Sequence, residues 1–150
     1  MLYSRFLLCL SFCLLPFLGI SQLTSINHWE TVVFETDTWH YLANNTAAPS
    51  NWNQPSFSPT NWQTGQGGIG YDDNDDNTVL PASQGVYIRH DFDVVDLSDI
   101  TRLILDADYD DAFVAYLNGV EIARANIGTI NIPPTYNEQP NNFHEAVLFA

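Results

Sequence analysis

The sequence predicts an all-β protein whose strands pair antiparallel in two stacked layers. Three observations carry that expectation. No long segment repeats apolar residues at helical spacing; short apolar stretches recur instead between clusters of Gly, Pro, Asn and Asp. Residues 85–94 and 102–109 alternate with the two-residue period of a strand. Asn118-Gly119 stands between the apolar runs 112–117 and 120–124, the strongest short-range sign of a hairpin, because a type I′ turn needs positive φ at both central residues.

The chain opens with one positive charge, Arg5, followed by the apolar run 6–20 (FLLCLSFCLLPFLGI) and the small residues Gly19 and Ser21. That order describes a secretory signal peptide over residues 1–21, cut after Ser21, and places the mature protein outside the cell or on its surface. The run is short of the about 20 residues that span a bilayer, and Pro16 interrupts it, so no membrane association is expected after cleavage. Phe12 before Cys13 is too bulky for a lipoprotein site. Cys9 and Cys13 leave with the leader, so a mature domain over 22–150 forms no disulfide and depends on its core. Removing 21 of 150 residues leaves 129, enough for one domain.

Taken in order, residues 28–34 and Thr38–Leu42 read as two early strands. Residues 44–61 form a long polar loop with Pro49, Pro55 and Pro59, which Trp52 and Phe57 are expected to pack down. In 85–94, Val86, Ile88, His90, Phe92 and Val94 share one face and Tyr87, Arg89, Asp91 and Asp93 the other. In 102–109, Leu103, Leu105 and Ala107 share a side. Residues 112–117 are apolar on both faces, as in a central strand. Residues 125–142 form a second proline-rich loop, and 143–150 turn apolar again, so the chain is expected to be a fragment cut within or just before a strand.

The formal charge is −14, and loss of Arg5 makes it −15. There is no lysine, and the mature chain keeps only Arg89, Arg102 and Arg124. Such a surface repels phosphate, which excludes nucleic acid and anionic membrane as partners. Cations, neutral glycans and basic protein surfaces are compatible with it, and solubility outside the cell is its plainest meaning.

Several strings together resemble a known module. They are Trp52-x4-Phe57-x4-Trp62-x2-Gly65, then Gly68-Ile69-Gly70-Tyr71 and an acidic loop, then Tyr87-Ile88-Arg89-x2-Phe92, and Asp110-Asp111-Ala112-Phe113-Val114-Ala115-Tyr116-Leu117-Asn118-Gly119-Val120-Glu121-Ile122-Ala123-Arg124. This pattern, spanning roughly residues 29–149, resembles the galactose-binding-like jelly-roll module of bacterial secreted proteins, found N-terminal to CotH-like kinase, lamin-tail or hydrolase domains. The resemblance implies an antiparallel jelly-roll β-sandwich of galactose-binding-like class. It departs at Ala112, where the family often has Gly, and in lacking the family's closing C-terminal strands.

The motifs that could carry chemistry are few. Gly65-Gln66-Gly67-Gly68-Ile69-Gly70 matches G-x-G-x-x-G by letter, but Tyr71-Asp72-Asp73 follows instead of a helix N-terminus, so a turn with close backbone approach is expected and not a nucleotide. Calcium takes six to eight oxygen ligands, and Asp72, Asp73, Asp75 and Asp76 could supply some; Asp106, Asp108 and Asp110 would point one way from a strand. Neither stretch fits an EF-hand: positions 6 and 12 are Asn77 and Ser83 in the first, Asp111 and Leu117 in the second. A solvated acidic loop is the competing reading for both. Aspartate pairs at glycosidase spacing will arise by chance among so many, and no Glu marks a cleft. The four histidines lack zinc spacing, His90 reads as a core or edge side chain, and no G-x-S-x-G occurs.

Aromatic faces remain: of Trp29, Trp39, Trp52, Trp62, Tyr71, Tyr87, Tyr109 and Tyr116, above all Trp52 and Trp62 in or beside the long loop and Tyr71 could stack on a sugar, with Arg89 and Arg124 orienting it. Against that stands a role plugging the sandwich edge, with the arginines paired to carboxylates. The expectation is a non-catalytic accessory module that binds glycan or spaces domains. Its rivals are the N-terminal part of a secreted enzyme whose catalytic domain lies past residue 150, and a purely structural sandwich.

Overall fold

In the computed structural model, residues 28–43, 45–71 and 76–146 are described. The expected signal peptide over 1–21, Asp72, Asp73 and Asp75 of the acidic loop and residues 147–150 lie outside them. The chain divides into two units, Met1–Glu30 and Thr31–Ala150. In the first, His28 Nε2 lies 3.0 Å from Glu30 Oε1. All that follows concerns the second.

The described residues are all-β, with one short 3-10 turn and no helix long and apolar enough to cross a membrane. Strand β1 (Thr38–Leu42) coincides with its expected bounds. It is the middle of a three-stranded antiparallel sheet, between β2 (Gln63–Gln66) and β5 (Tyr87–Arg89). His40 pairs with Thr64 on one side and Arg89 on the other. Threonine and aromatic residues favour this pleated, half-buried position. The turn before β1 is closed by Asp37, whose N–H donates to Phe34 O (3.0 Å) while its Oδ2 accepts from Phe34 N (2.8 Å).

Strands β3 (Ile69–Gly70) and β4 (Thr78–Val79) form a two-residue parallel pair on either side of the acidic stretch, the one departure from antiparallel pairing among the described residues. Thr78 N donates to Gly68 O and Leu80 N to Gly70 O. The buried core sits where β1 leaves its sheet and meets this pair: Tyr41, Ala43 and Leu80, with Ile69 packed against them.

The 3-10 turn Leu97–Asp99 is capped by Asp96, which accepts from Ser98 N at 2.8 Å. The hairpin follows as β6 (Phe113–Leu117) and β7 (Val120–Ala125), joined as expected through Asn118 (φ 51°) and Gly119 (φ 84°). Both φ angles are positive, as a type I′ turn requires. One irregularity interrupts the register: Tyr116 faces Glu121 while Ala115 faces Ala123, so Ile122 is an extra residue on β7.

Four expected strands differ. Of 85–94 only Tyr87–Arg89 is in a strand, the three residues that pair with Leu42, Tyr41 and His40 of β1. Residues 28–34 hold none; the segment runs into the Phe34–Asp37 turn. Residues 102–109 run without a turn or bend, but no described residue forms a strand beside them and Leu103, Ile104 and Leu105 are exposed. Alternation requires only that a strand could form there; a neighbour must make it one. Of 143–150, the described residues 143–146 are not in a strand. They lie along the start of β6 instead: Asp111 N donates to His144 O, and His144 N donates to Asp111 Oδ1.

Candidate functional site

Trp52 and Trp62 enter from the 44–61 loop and its end. The loop is a succession of tight turns, with Trp52 N bonded to Pro49 O, Gln54 N to Asn51 O, Phe57 N to Gln54 O and Trp62 N to Pro59 O, all at 2.9–3.0 Å. This fixes both indoles, and they stack with centroids 6.2 Å apart at 28°. Trp52 also meets Tyr87 of β5 edge-on at 5.2 Å and Tyr116 of β6 edge-on at 5.7 Å. Phe57 closes on Trp62 at 5.5 Å. Trp52 is therefore ringed on three sides, and it joins the three-stranded sheet to the hairpin through their side chains. Both tryptophans are half-buried.

Arg89 fastens the same loop from β5. Its side chain is only 10% exposed. Nη1 donates to Trp52 O (3.1 Å) and Gln54 O (2.9 Å), and Nη2 donates to Asp91 Oδ1 at 2.7 Å. The backbone of the indole-bearing turn is thus held from β5, independently of the indole itself.

Arg124 does the same for the second loop. Nε and Nη2 donate to Glu121 Oε1 and Oε2, both at 2.9 Å, a two-pronged pair with both side chains nearly buried. Arg124 also donates to Ile127 O (3.2 Å) and Ile132 O (2.9 Å), and Glu121 Oε2 accepts from Asn131 N at 3.0 Å. Residues three apart on a strand point to opposite faces. The extra residue Ile122 corrects this: Glu121 lies opposite Tyr116, Arg124 opposite Val114, and Tyr116 and Val114 share a face of β6. The irregularity is what lets the ion pair form.

The Arg124 hydrogen bonds, then the Asn131 N–H, hold the Glu121 carboxyl below the usual carboxylate range, and the same pairing raises Arg124. A lowered carboxylate contributes stability that is present above the unfolded value of about 4.3 and lost as pH falls through the folded one. Melting the Glu121→Gln variant and the parent from pH 7 down to pH 2.5 is therefore expected to show a gap that is widest at neutral pH and closes in acid. A gap constant with pH would mean the pair does not contribute. Tyr116 shifts the other way: burial, then the nearby Glu121 carboxylate, raises its hydroxyl, so its contribution is present below about pH 10 and lost above it.

The remaining candidates are not gathered. Tyr71 follows β3 and is exposed, before the acidic stretch. Asp76 packs against Gly70, where even a methyl group would meet its carboxylate. Asp106, Asp108 and Asp110 are exposed, and among the described residues no group of three or more His, Cys, Asp or Glu side chains is placed to hold a metal. The His90 side chain is 18% exposed: its ring lies tilted at 41° against Trp39 at 4.9 Å, its Nδ1 lies 3.1 Å from Thr38 O and its Nε2 3.5 Å from Asp37.

Sequence reasoning singled out Trp52, Trp62, Arg89 and Arg124 but not Glu121, Tyr87 as the ring partner of Trp52, or the Tyr109–His144 stack (4.1 Å, 9°). Tyr87 in the Tyr-x-Arg string was the one available signal, since a residue two before Arg89 shares its face. No protein-family model, curated protein or solved structure matches the chain.

Proposed function

We propose that the chain is a non-catalytic accessory module of a larger secreted protein, a jelly-roll sandwich of galactose-binding-like class that spaces and holds its neighbours. One observation carries this reading. The side chains best suited to recognise a ligand are engaged in holding the module's own loops: Arg89 on the Trp52 turn, Arg124 on residues 127–132, and Trp52 inside a ring of aromatics. The leader-like residues 1–21 support export, and the family resemblance supports the modular setting.

Glycan binding is the second reading, and Tyr71 favours it, because this residue is 52% exposed beside the acidic stretch. A glycan array probed with the chain lacking residues 1–21 separates the two. A spacer retains no glycan, and Trp62→Ala lowers its melting point. A glycan that is retained by the parent, and lost in a Tyr71→Ala variant with unchanged melting, would replace the spacer by a binder.

A further inference from the structure

We propose that residues 102–106 are a self-pairing edge through which two copies of this chain associate, strand against antiparallel strand, about a two-fold axis at Ile104. The segment lies in the stretch 102–109 that has no turn or bend, which over eight residues means extended backbone. It is anchored on both sides. Upstream is the Asp96-capped turn, closed by Ile100 N on Leu97 O. Downstream, Tyr109 stacks on His144, whose Nδ1 lies 3.0 Å from Tyr109 O. An edge held extended at both ends loses little freedom on pairing. Leu103, Ile104 and Leu105 are 57%, 63% and 50% exposed, and no described residue forms a strand beside them.

The order of residues selects the occupant. Arg102-Leu103-Ile104-Leu105-Asp106 is complementary to itself when reversed. Centred on Ile104, an antiparallel pair sets Arg102 opposite Asp106 at both ends, Leu103 opposite Leu105 twice, and Ile104 opposite its own copy. Residues directly opposite share a face, so each pair meets with opposite charges or with matched apolar groups. Shifting the axis to residue 106 would instead set Asp106 against itself. A two-fold interface requires such self-complementarity. Arg102 is one of three arginines in residues 22–150 of a chain with net charge −14, and it stands four residues before an aspartate with three exposed apolar residues between.

A single strand pair is smaller than a standard interface, so the dimer is expected to be weak, with Kd on the order of 100 μM. Sedimentation of the chain lacking residues 1–21, over a concentration series at physiological salt, reads it. Arg102→Asp sets two aspartates opposite at each end and is expected to weaken the dimer about tenfold or more. Asp106→Arg does the same with two arginines, and the double variant Arg102→Asp/Asp106→Arg restores the parent value. All substituted side chains are exposed, and a melt confirms folding. A chain that stays monomeric at millimolar concentration overturns the proposal. So does a double variant no tighter than the singles, or slow amide exchange at 103–105 in the dilute monomer, which would show another strand already on that edge.

Discussion

Trp52→Ala is expected to lower the stability of the module by about 3 kcal/mol, a drop of roughly 6–12 °C in its melting midpoint. The indole stacks on Trp62 and takes the edges of Tyr87 and Tyr116, so its loss opens a void bordered by the 44–61 loop, β5 and β6 at once. With only Tyr41, Ala43 and Leu80 as buried core side chains among the described residues, little else couples the three-stranded sheet to the hairpin. Trp52→Phe, which keeps a ring in the same place, recovers about half of the loss. The effect should also depend on Arg89. That side chain grips the backbone carbonyls of Trp52 and Gln54, so with Arg89→Met already present the turn is loose and removing the indole costs less. A ligand platform behaves in the opposite way: its exposed indole can be cut to alanine with the melt unchanged. A Trp52→Ala variant that melts with the parent would remove the hub and return this residue to the list of binding candidates.

How far the sequence could be read follows from where each feature's cause lies. Strand β1 and the hairpin were legible because their causes are local: a five-residue Thr-Trp-His-Tyr-Leu run behind a turn, and Asn-Gly between two apolar runs. Strand β2 was not. Its residues Gln-Thr-Gly-Gln have no strand pattern and are a strand only because β1 lies beside them, with Trp39 opposite Gly65. The converse error fell on 102–109, where the pattern is good and the described residues provide no neighbour. Composition pointed to the tryptophans, but their partners sit 35 and 64 positions away from Trp52, at Tyr87 and Tyr116, which no periodicity reveals. Glu121 was hidden for a sharper reason. At regular strand period it faces away from Arg124, and only the extra residue Ile122, invisible in a string of letters, turns the two together.

Gly67→Ala is expected to be about as damaging as loss of the Trp52 indole, and for a reason the nucleotide-like string conceals. Gly67 is buried, and it does not need unusual backbone angles. It needs room. A β-carbon there would overlap the carbonyl oxygen of Glu35 and come within 3.2 Å of the Trp39 indole nitrogen. The obstacle is backbone, and it cannot swing aside, because the same turn is tied by Gly67 N to Asp37 O at 3.0 Å. On the other side Asn77 Nδ2 donates to Gly67 O at 2.8 Å, so a displaced residue 67 would also strain the link to β4. Forcing a methyl group into such a place costs about 2–3 kcal/mol. Gly68→Ala is the informative comparison. Its φ of +73° is left-handed, which costs an alanine about 1–2 kcal/mol, yet its nearest neighbour is the flexible tip of Asn77 at 3.1 Å. The two variants should therefore rank by space and not by torsion, with Gly67→Ala melting lower. The reverse order would mean that the Glu35–Gly67 approach is loose in solution, and that the string serves as a flexible turn and not as the place where the strap before β1 is pressed against β2.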